Sequence, residues 1–229
     1  MIPLRDANPS RGVPMVTLAL IALNCLVFFY ELVLPPAGLE QLVFTFGMVP
    51  AKLTAFPTHP DISFADATVP FLTSMFLHGG WLHLIGNMWF LWIFGDNVED
   101  YLGHVRFLLF YVLCGLAASV AHLAFNLNST IPTLGASGAI AGVLGAYLLL
   151  FPGARILTYF PYFFLFHVPA YVILIYWFVL QVLQGTATLA EARAGGGVAW
   201  WAHVGGFVAG LALVKLVASR RRRYYVSRR

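Results

Sequence analysis

Five long stretches of this chain carry no charged residue, and the polar breaks between them set its organisation. Gly12 to Tyr30 is free of charge over 19 positions, Ala67 to Gly95 over 29, Phe107 to Ala154 over 48, Ile156 to Ala190 over 35 and Ala194 to Val214 over 21. The third run is long enough for two crossings of a bilayer, and Asn126-Leu127-Asn128-Ser129-Thr130-Ile131-Pro132 interrupts it. In the fourth, Pro161 and Pro169 mark a late helix start. An apolar helix needs about 20 residues to cross the hydrocarbon, so the pattern predicts six spans, at about 14–34, 81–98, 105–125, 136–151, 168–184 and 198–218. The expected fold class is an all-α membrane protein, a six-transmembrane-helix bundle over residues 14–218. A segment 1–13 precedes it and a basic tail 219–229 follows it.

The longest connection runs from about Pro35 to Gly80 and is rich in phenylalanine (Phe44, Phe46, Phe56, Phe64, Phe71, Phe76). Connections of this length are usually functional or disordered. This one is too aromatic for disorder, and short helices lying at the membrane interface are expected. A second outside segment holds Gly195-Gly196-Gly197, which suggests a mobile flap.

Composition sharpens the picture. Hydrophobic residues make up 60% of the 229 and charged residues only 10%, whereas soluble domains are about a quarter charged. Such a chain cannot hide its apolar surface in one water-soluble core. Eleven of the 13 basic residues fall on one side of the predicted topology: Arg5, Arg11, Arg106, Arg155, Lys215, Arg220 to Arg223, Arg228 and Arg229. The positive-inside bias makes that side cytoplasmic, with both termini on it. The basic tail is expected to touch anionic lipid headgroups rather than nucleic acid, since the cluster is short and hangs off a span. The first span is not expected to be a cleaved signal peptide, because Glu31-Leu32-Val33-Leu34-Pro35-Pro36 follows it in place of a small-residue cleavage site. Cys25 and Cys114 both fall mid-span and read as small apolar residues rather than a disulfide. The chain has no internal repeat of useful length, which argues against a transporter built from duplicated halves.

Polar groups inside apolar spans need a reason to be there. Ser137, in Gly135-Ala136-Ser137-Gly138, sits at the amino-terminal edge of the fourth span. Free amides and the helix dipole favour developing negative charge there. Most serines in membrane helices are structural. This one begins a row of small residues, Ser137, Ala141 and Gly145, at spacing four. His203, in Ala202-His203-Val204-Gly205-Gly206, continues to Gly206 and Gly210 on one face of the sixth span. Packing of the two rows would bring serine and histidine together at one depth, as nucleophile and general base. His83 and Asn87 lie four apart on the second span. They are either an interhelical hydrogen-bonding pair or, with the Ser137 backbone amide, an oxyanion hole. No acidic residue is placed to orient His203, which favours a Ser–His dyad over a triad. His-Glu-x-x-His and Cys-x-x-Cys are both absent; a metal held by His78, His83 and His203 is the weaker alternative, so no metal and no cofactor are expected.

Taken together these residues resemble the rhomboid family of intramembrane serine proteases. The resemblance rests on Gly-Ala-Ser-Gly at 135–138, Ala-His-x-x-Gly-Gly at 202–206 and His-x-x-x-Asn at 83–87. It extends to Met75-Phe76-Leu77-His78-Gly79-Gly80-Trp81-Leu82-His83, to Gly95-Asp96-Asn97-Val98-Glu99 and to the opening Ile2-Pro3-Leu4-Arg5-Asp6-x-Asn8-Pro9. It implies a six-helix core with a wet cavity open to the outside, and Ser137 as nucleophile with His203 as base and acid. His83 and Asn87 would stabilise the oxyanion. Substrates would be membrane proteins cut in or near their helices, and the location a bacterial plasma membrane. The fifth span, with Trp177 and Phe178, would be a candidate lateral gate. Two positions depart from the family pattern. Val69-Pro70 stands where many members carry Trp-Arg, and Ala141 stands where some have a tyrosine packed on the histidine ring. A catalytically inactive relative that binds membrane clients is the alternative function. A channel is disfavoured, because the spans lack a file of polar groups.

Overall fold

The structure, a computed structural model, describes residues 1–161, 164–190 and 198–218. The expected flap at Gly195 to Gly197 and the basic tail 219–229 lie outside the described residues. In chain order the elements begin with β1 (Ile2–Asp6) and α1 (Met15–Val33). The long connection folds into α2 (Pro36–Phe46), α3 (Pro50–Ala55), α4 (Phe64–Thr68), α5 (Pro70–Thr73) and a 3₁₀ turn, Ser74–Phe76. Three of these short helices start on proline at their first turn, where its missing N–H costs nothing. α4 is closed by a capping box between Ser63 and Asp66. Then follow α6 (Trp81–Leu102), α7 (His104–Phe125), α8 (Ser137–Leu150), β2 (Arg155–Tyr159), β3 (Leu165–Pro169), α9 (Ala170–Ala190) and α10 (Trp200–Val217).

Among the described residues four helices are long and apolar enough to cross a membrane: α1, α7, α9 over Ala170–Leu189, and α10. α6 and α8 fall on the expected second and fourth spans without meeting that measure. α6 is diluted by His83, Asn87, Asp96 and Asn97, and α8 has only 14 residues. α8 is nonetheless the centre of the fold. It is buried nearly all round and packs against α10, α7, α6 and α9.

The expectation of an all-helical chain needs one correction. β1, β2 and β3 form a three-stranded antiparallel sheet in that order. β2 alternates in burial, with Ile156 and Thr158 inside, which is the period-two signature of a strand. The segment 1–13 therefore contributes structure: Ile2 pairs with Tyr159 and Asp6 with Ile156. Trp89 Nε1 donates to the Pro3 carbonyl (2.7 Å), and the Tyr147 hydroxyl donates to Asp6 Oδ2 (2.7 Å). β3 occupies the start of the expected fifth span and delays its helix to Ala170, whose amide bonds the Ala154 carbonyl at 2.8 Å.

Glycines let α8 and α10 touch backbone to backbone. A Cβ on Gly206 would collide with the Gly138 carbonyl, and one on Gly210 with the Gly142 carbonyl. On α10 the small row is the expected one. On α8 it is corrected by one position, to Gly138 and Gly142 with Gly145, rather than Ser137 and Ala141 with Gly145. The shift turns Ser137 off the contact seam. Gly142 also faces Cys114 of α7, and Gly205 faces Ala117 and Ala121, so α7 closes on the same seam. Cys25 and Cys114 are both free.

Candidate active site

Ser137 is the first residue of α8 and His203 the fourth of α10. The Gly138–Gly206 contact fixes the two helix starts side by side. His203 Nε2 lies 2.8 Å from Ser137 Oγ, and His203 itself is buried. Both side chains line a cavity of about 1020 Å³ shared with His83, Asn87, His122 and Trp177. A neutral imidazole whose Nε2 is bare can accept the serine proton at this distance.

The far side of the ring is also held, by residues that the sequence reading did not assign. Gln181 of α9 places Oε1 2.7 Å from His203 Nδ1. Trp177, one turn earlier, lies beside the imidazole with ring centroids 5.7 Å apart, and Trp200 meets it edge-on at 6.2 Å. Ala141, at the position where the family pattern offers a tyrosine, is fully buried in the helix core. The signal that could have found Gln181 is the one that found His203, a polar group in an otherwise apolar helix.

His83 and Asn87 come from α6 and face the same cavity. Gly79 N–H points at His83 Nδ1 (3.4 Å), which makes Nδ1 the acceptor and leaves the proton on Nε2. That nitrogen lies against Gly135, where a Cβ would collide with it. Gly135 holds φ +116°, a backbone conformation that favours glycine, and its amide donates to the Ser74 carbonyl at 2.9 Å. Asn87 Nδ2 is 3.0 Å from His78 Nε2. Burial, with the nearby His83 adding to it, pushes His78 down to about 4, so its ring is a neutral acceptor at physiological pH. One Asn87 proton is engaged there and the second is free for the cavity. The main chain of His78 is tied in turn to Glu31 of α1, whose carboxylate accepts the His78 amide at 3.2 and 3.3 Å.

The first connection is pinned to the approach of Ser137. Met48 and Thr133 exchange backbone hydrogen bonds of 3.1 and 2.8 Å, Thr133 lying four residues before the serine. Val69 and Pro70, where Trp-Arg would stand, lie at the junction of α4 and α5, and Thr73 at the close of α5 donates its Oγ1 hydrogen to the Phe46 carbonyl at the end of α2 (2.7 Å). Among the described residues no three His, Cys, Asp or Glu side chains converge to hold a metal, and His78, His83 and His203 do not form such a group.

Known proteins give a consistent picture. A rhomboid domain model matches residues 66–220, about two thirds of the chain. The rhomboid protease GluP of Bacillus subtilis is 35% identical over 139 residues, covering 61% of this chain and 25% of that protein. Rhomboid protein 1, mitochondrial, of Saccharomyces cerevisiae is 36% identical over 100 residues, 42% of this chain and 29% of the relative. The presenilin-associated rhomboid-like protein A, mitochondrial, of Danio rerio is 32% identical over 149 residues, 64% of this chain and 35% of the relative. The chain thus spans between a quarter and about a third of the length of these relatives. The domain match takes in every residue of the cavity described above, and with the apolar helices it identifies the chain as an integral membrane protein of the rhomboid family.

Proposed function

We propose that this protein is an intramembrane serine endopeptidase that hydrolyses peptide bonds in or near the transmembrane helices of other membrane proteins. One observation carries the reading: an alcohol and an imidazole 2.8 Å apart, at the wall of a large cavity, between helices that are otherwise apolar. In the reaction Ser137 Oγ attacks the scissile carbonyl while His203 Nε2 takes its proton. Charge then develops on the carbonyl oxygen. The Nε2–H of His83, the free Nδ2–H of Asn87 and the Ser137 amide at the helix start are the donors available to it. Collapse of the tetrahedral adduct expels the new amine, which receives the proton from His203. Water, admitted through the cavity, repeats the sequence on the acyl-enzyme and frees Ser137. The reading needs neither metal nor cofactor.

In this proposal α1, α6, α7, α8, α9 and α10 all cross the bilayer. The short α8 would be surrounded by its neighbours and so need not match the full hydrocarbon thickness. The site would open toward the outer face of a bacterial plasma membrane, with both termini cytoplasmic.

A fluorophosphonate probe tests the proposal. The wild-type protein in detergent should be labelled covalently, and Ser137→Ala should not; His203→Ala should lose labelling while keeping its helical content. A folded wild-type protein that takes up no label would favour an inactive client-binding relative.

A further inference from the structure

Gln181 is buried at 5% exposure on a helix whose outer face is Tyr171, Ile175, Tyr176, Val179 and Leu183. A buried primary amide needs its hydrogen bonds satisfied, and here they leave it only one orientation. Its Nε2 donates to the Trp177 carbonyl at 3.1 Å. Turned over, the amide would set its oxygen against that carbonyl. The oxygen is therefore the atom that faces His203 Nδ1 at 2.7 Å, and it can only accept. The Nδ1–H tautomer of His203 satisfies this contact, and that tautomer leaves Nε2 bare toward Ser137.

The structure assigns Gln181 as the positioning residue of the active site: it fixes the tautomer and ring plane of His203 through Nδ1, the task a carboxylate performs in a Ser–His–Asp triad. This rests on the protease reading above and extends it to a third residue. A neutral amide suits the place. A carboxylate there would have to be taken out of water, which is costly unless it is fully paired. The titratable groups turned toward His203 are His83 on α6 and His122 on α7, with Ser137 on α8. Among the described residues no carboxylate hydrogen-bonds to it, so Gln181 is the sole acceptor on the Nδ1 side. Trp177, which supplies the carbonyl that orients the amide, also flanks the ring. One turn of α9 thus holds the imidazole by edge and by face.

The test compares wild type, Gln181→Met and Gln181→Glu in detergent by two readouts. The first is the rate of fluorophosphonate labelling against pH. The second is the ¹⁵N spectrum of the His203 ring, assigned by difference from His203→Ala. Gln181→Met keeps length and removes the acceptor. Its labelling should fall about 10- to 100-fold, the scale of loss when the partner orienting a metal-ligating histidine is removed. Its ring should change from one Nδ1-protonated tautomer to a mixture. Gln181→Glu restores an acceptor, so labelling should recover at alkaline pH. Its acid limb should move to higher pH by about one unit or more, because a carboxylate favours the imidazolium. A Gln181→Met protein with wild-type rate, pH midpoint and tautomer overturns the assignment. If that variant does not fold, Gln181→Glu decides, and an unmoved acid limb overturns it. Failure of the wild type to label would refute the protease reading instead, while the ring spectrum would still decide the role of Gln181.

Discussion

Asn87 Nδ2 has two protons, and the environment commits one of them. His78 Nε2 takes the first, so the side chain is held in place and the second is left for the cavity that Asn87 lines. His83 is prepared in the same way, by a main-chain amide that accepts no alternative tautomer. If the protein is the protease proposed above, both residues are expected to act in the transition state rather than to hold substrate. Asn87→Ala should lower kcat for a single-span substrate by about 100-fold or more and leave KM nearly unchanged. Kinetics in detergent or proteoliposomes would measure this, and a loss confined to KM would show that Asn87 serves binding instead. The polar residues of the site were legible because each interrupts an apolar helix. Gln181 carries the same mark, but its polar neighbour at helical spacing is Gln184 on the same helix, so nothing in the sequence pairs it with His203; the partner comes from a different helix 22 residues away.

Between elements, small residues and buried polar pairs set the geometry. The sequence predicts a close approach of α8 and α10 but puts the α8 row one position off, because residues 137, 141, 145 and residues 138, 142, 145 trace adjacent lines on one helix. The carbonyls of Gly138 and Gly142 against Gly206 and Gly210 choose the second. Gly206→Ala puts a methyl group onto a backbone atom that cannot turn aside. It should cost about 1–3 kcal/mol of stability and, by parting serine from histidine, most of the labelling. Unchanged thermal unfolding and labelling would mean that the two backbones are not in contact. The sheet was not legible. β1 is five residues long and its partner lies some 150 positions away, while Phe160, Phe164 and Phe166 make the return strand read as one more apolar run. Its tie to α8 is the Tyr147–Asp6 bond, and this carboxyl titrates abnormally. Burial raises Asp6 to about 6; the Tyr147 hydroxyl opposes the shift and Asp96 adds to it. A carboxyl with a folded pKa above its unfolded 3.8 binds its proton more tightly when folded. Its contribution is then fully present below about 4 and lost as pH rises through about 6. Asp6→Asn keeps an acceptor for Tyr147 and removes the titration. It should raise the Tm at pH 8 relative to wild type, and the gain should shrink toward pH 4.5. A difference independent of pH would show that Asp6 stays ionised throughout.

At the scale of the molecule, two buried carboxylates orient the first helix and, through it, the whole bundle. Pro14 precedes α1 and supplies no side-chain cap, so the amides of Val16 and Thr17 are unmet within the helix. Glu99, near the far end of α6, accepts both at 2.8 and 2.7 Å, together with the Thr17 hydroxyl at 2.7 Å. At the other end of α1, Glu31 accepts the His78 amide just before α6 begins. α1 and α6 are thereby locked antiparallel, and the ends of the molecule follow. One end gathers the start of α1, the sheet, the α6–α7 turn and the close of α10, carrying Arg5, Arg106, Arg155 and Lys215. The opposite end holds the starts of α8 and α10, with Ser137 and His203, and the long connection with Lys52. Basic residues resist translocation, so the crowded end should stay in the cytoplasm and the cavity should face outward. Alkaline phosphatase fused after Ala218 should be inactive in intact bacteria while a fluorescent protein fused there glows. Phosphatase inserted after Thr58 should be active. The reverse pattern would place Ser137 at the cytoplasmic face, and the substrates would then have to be cut from the inner side.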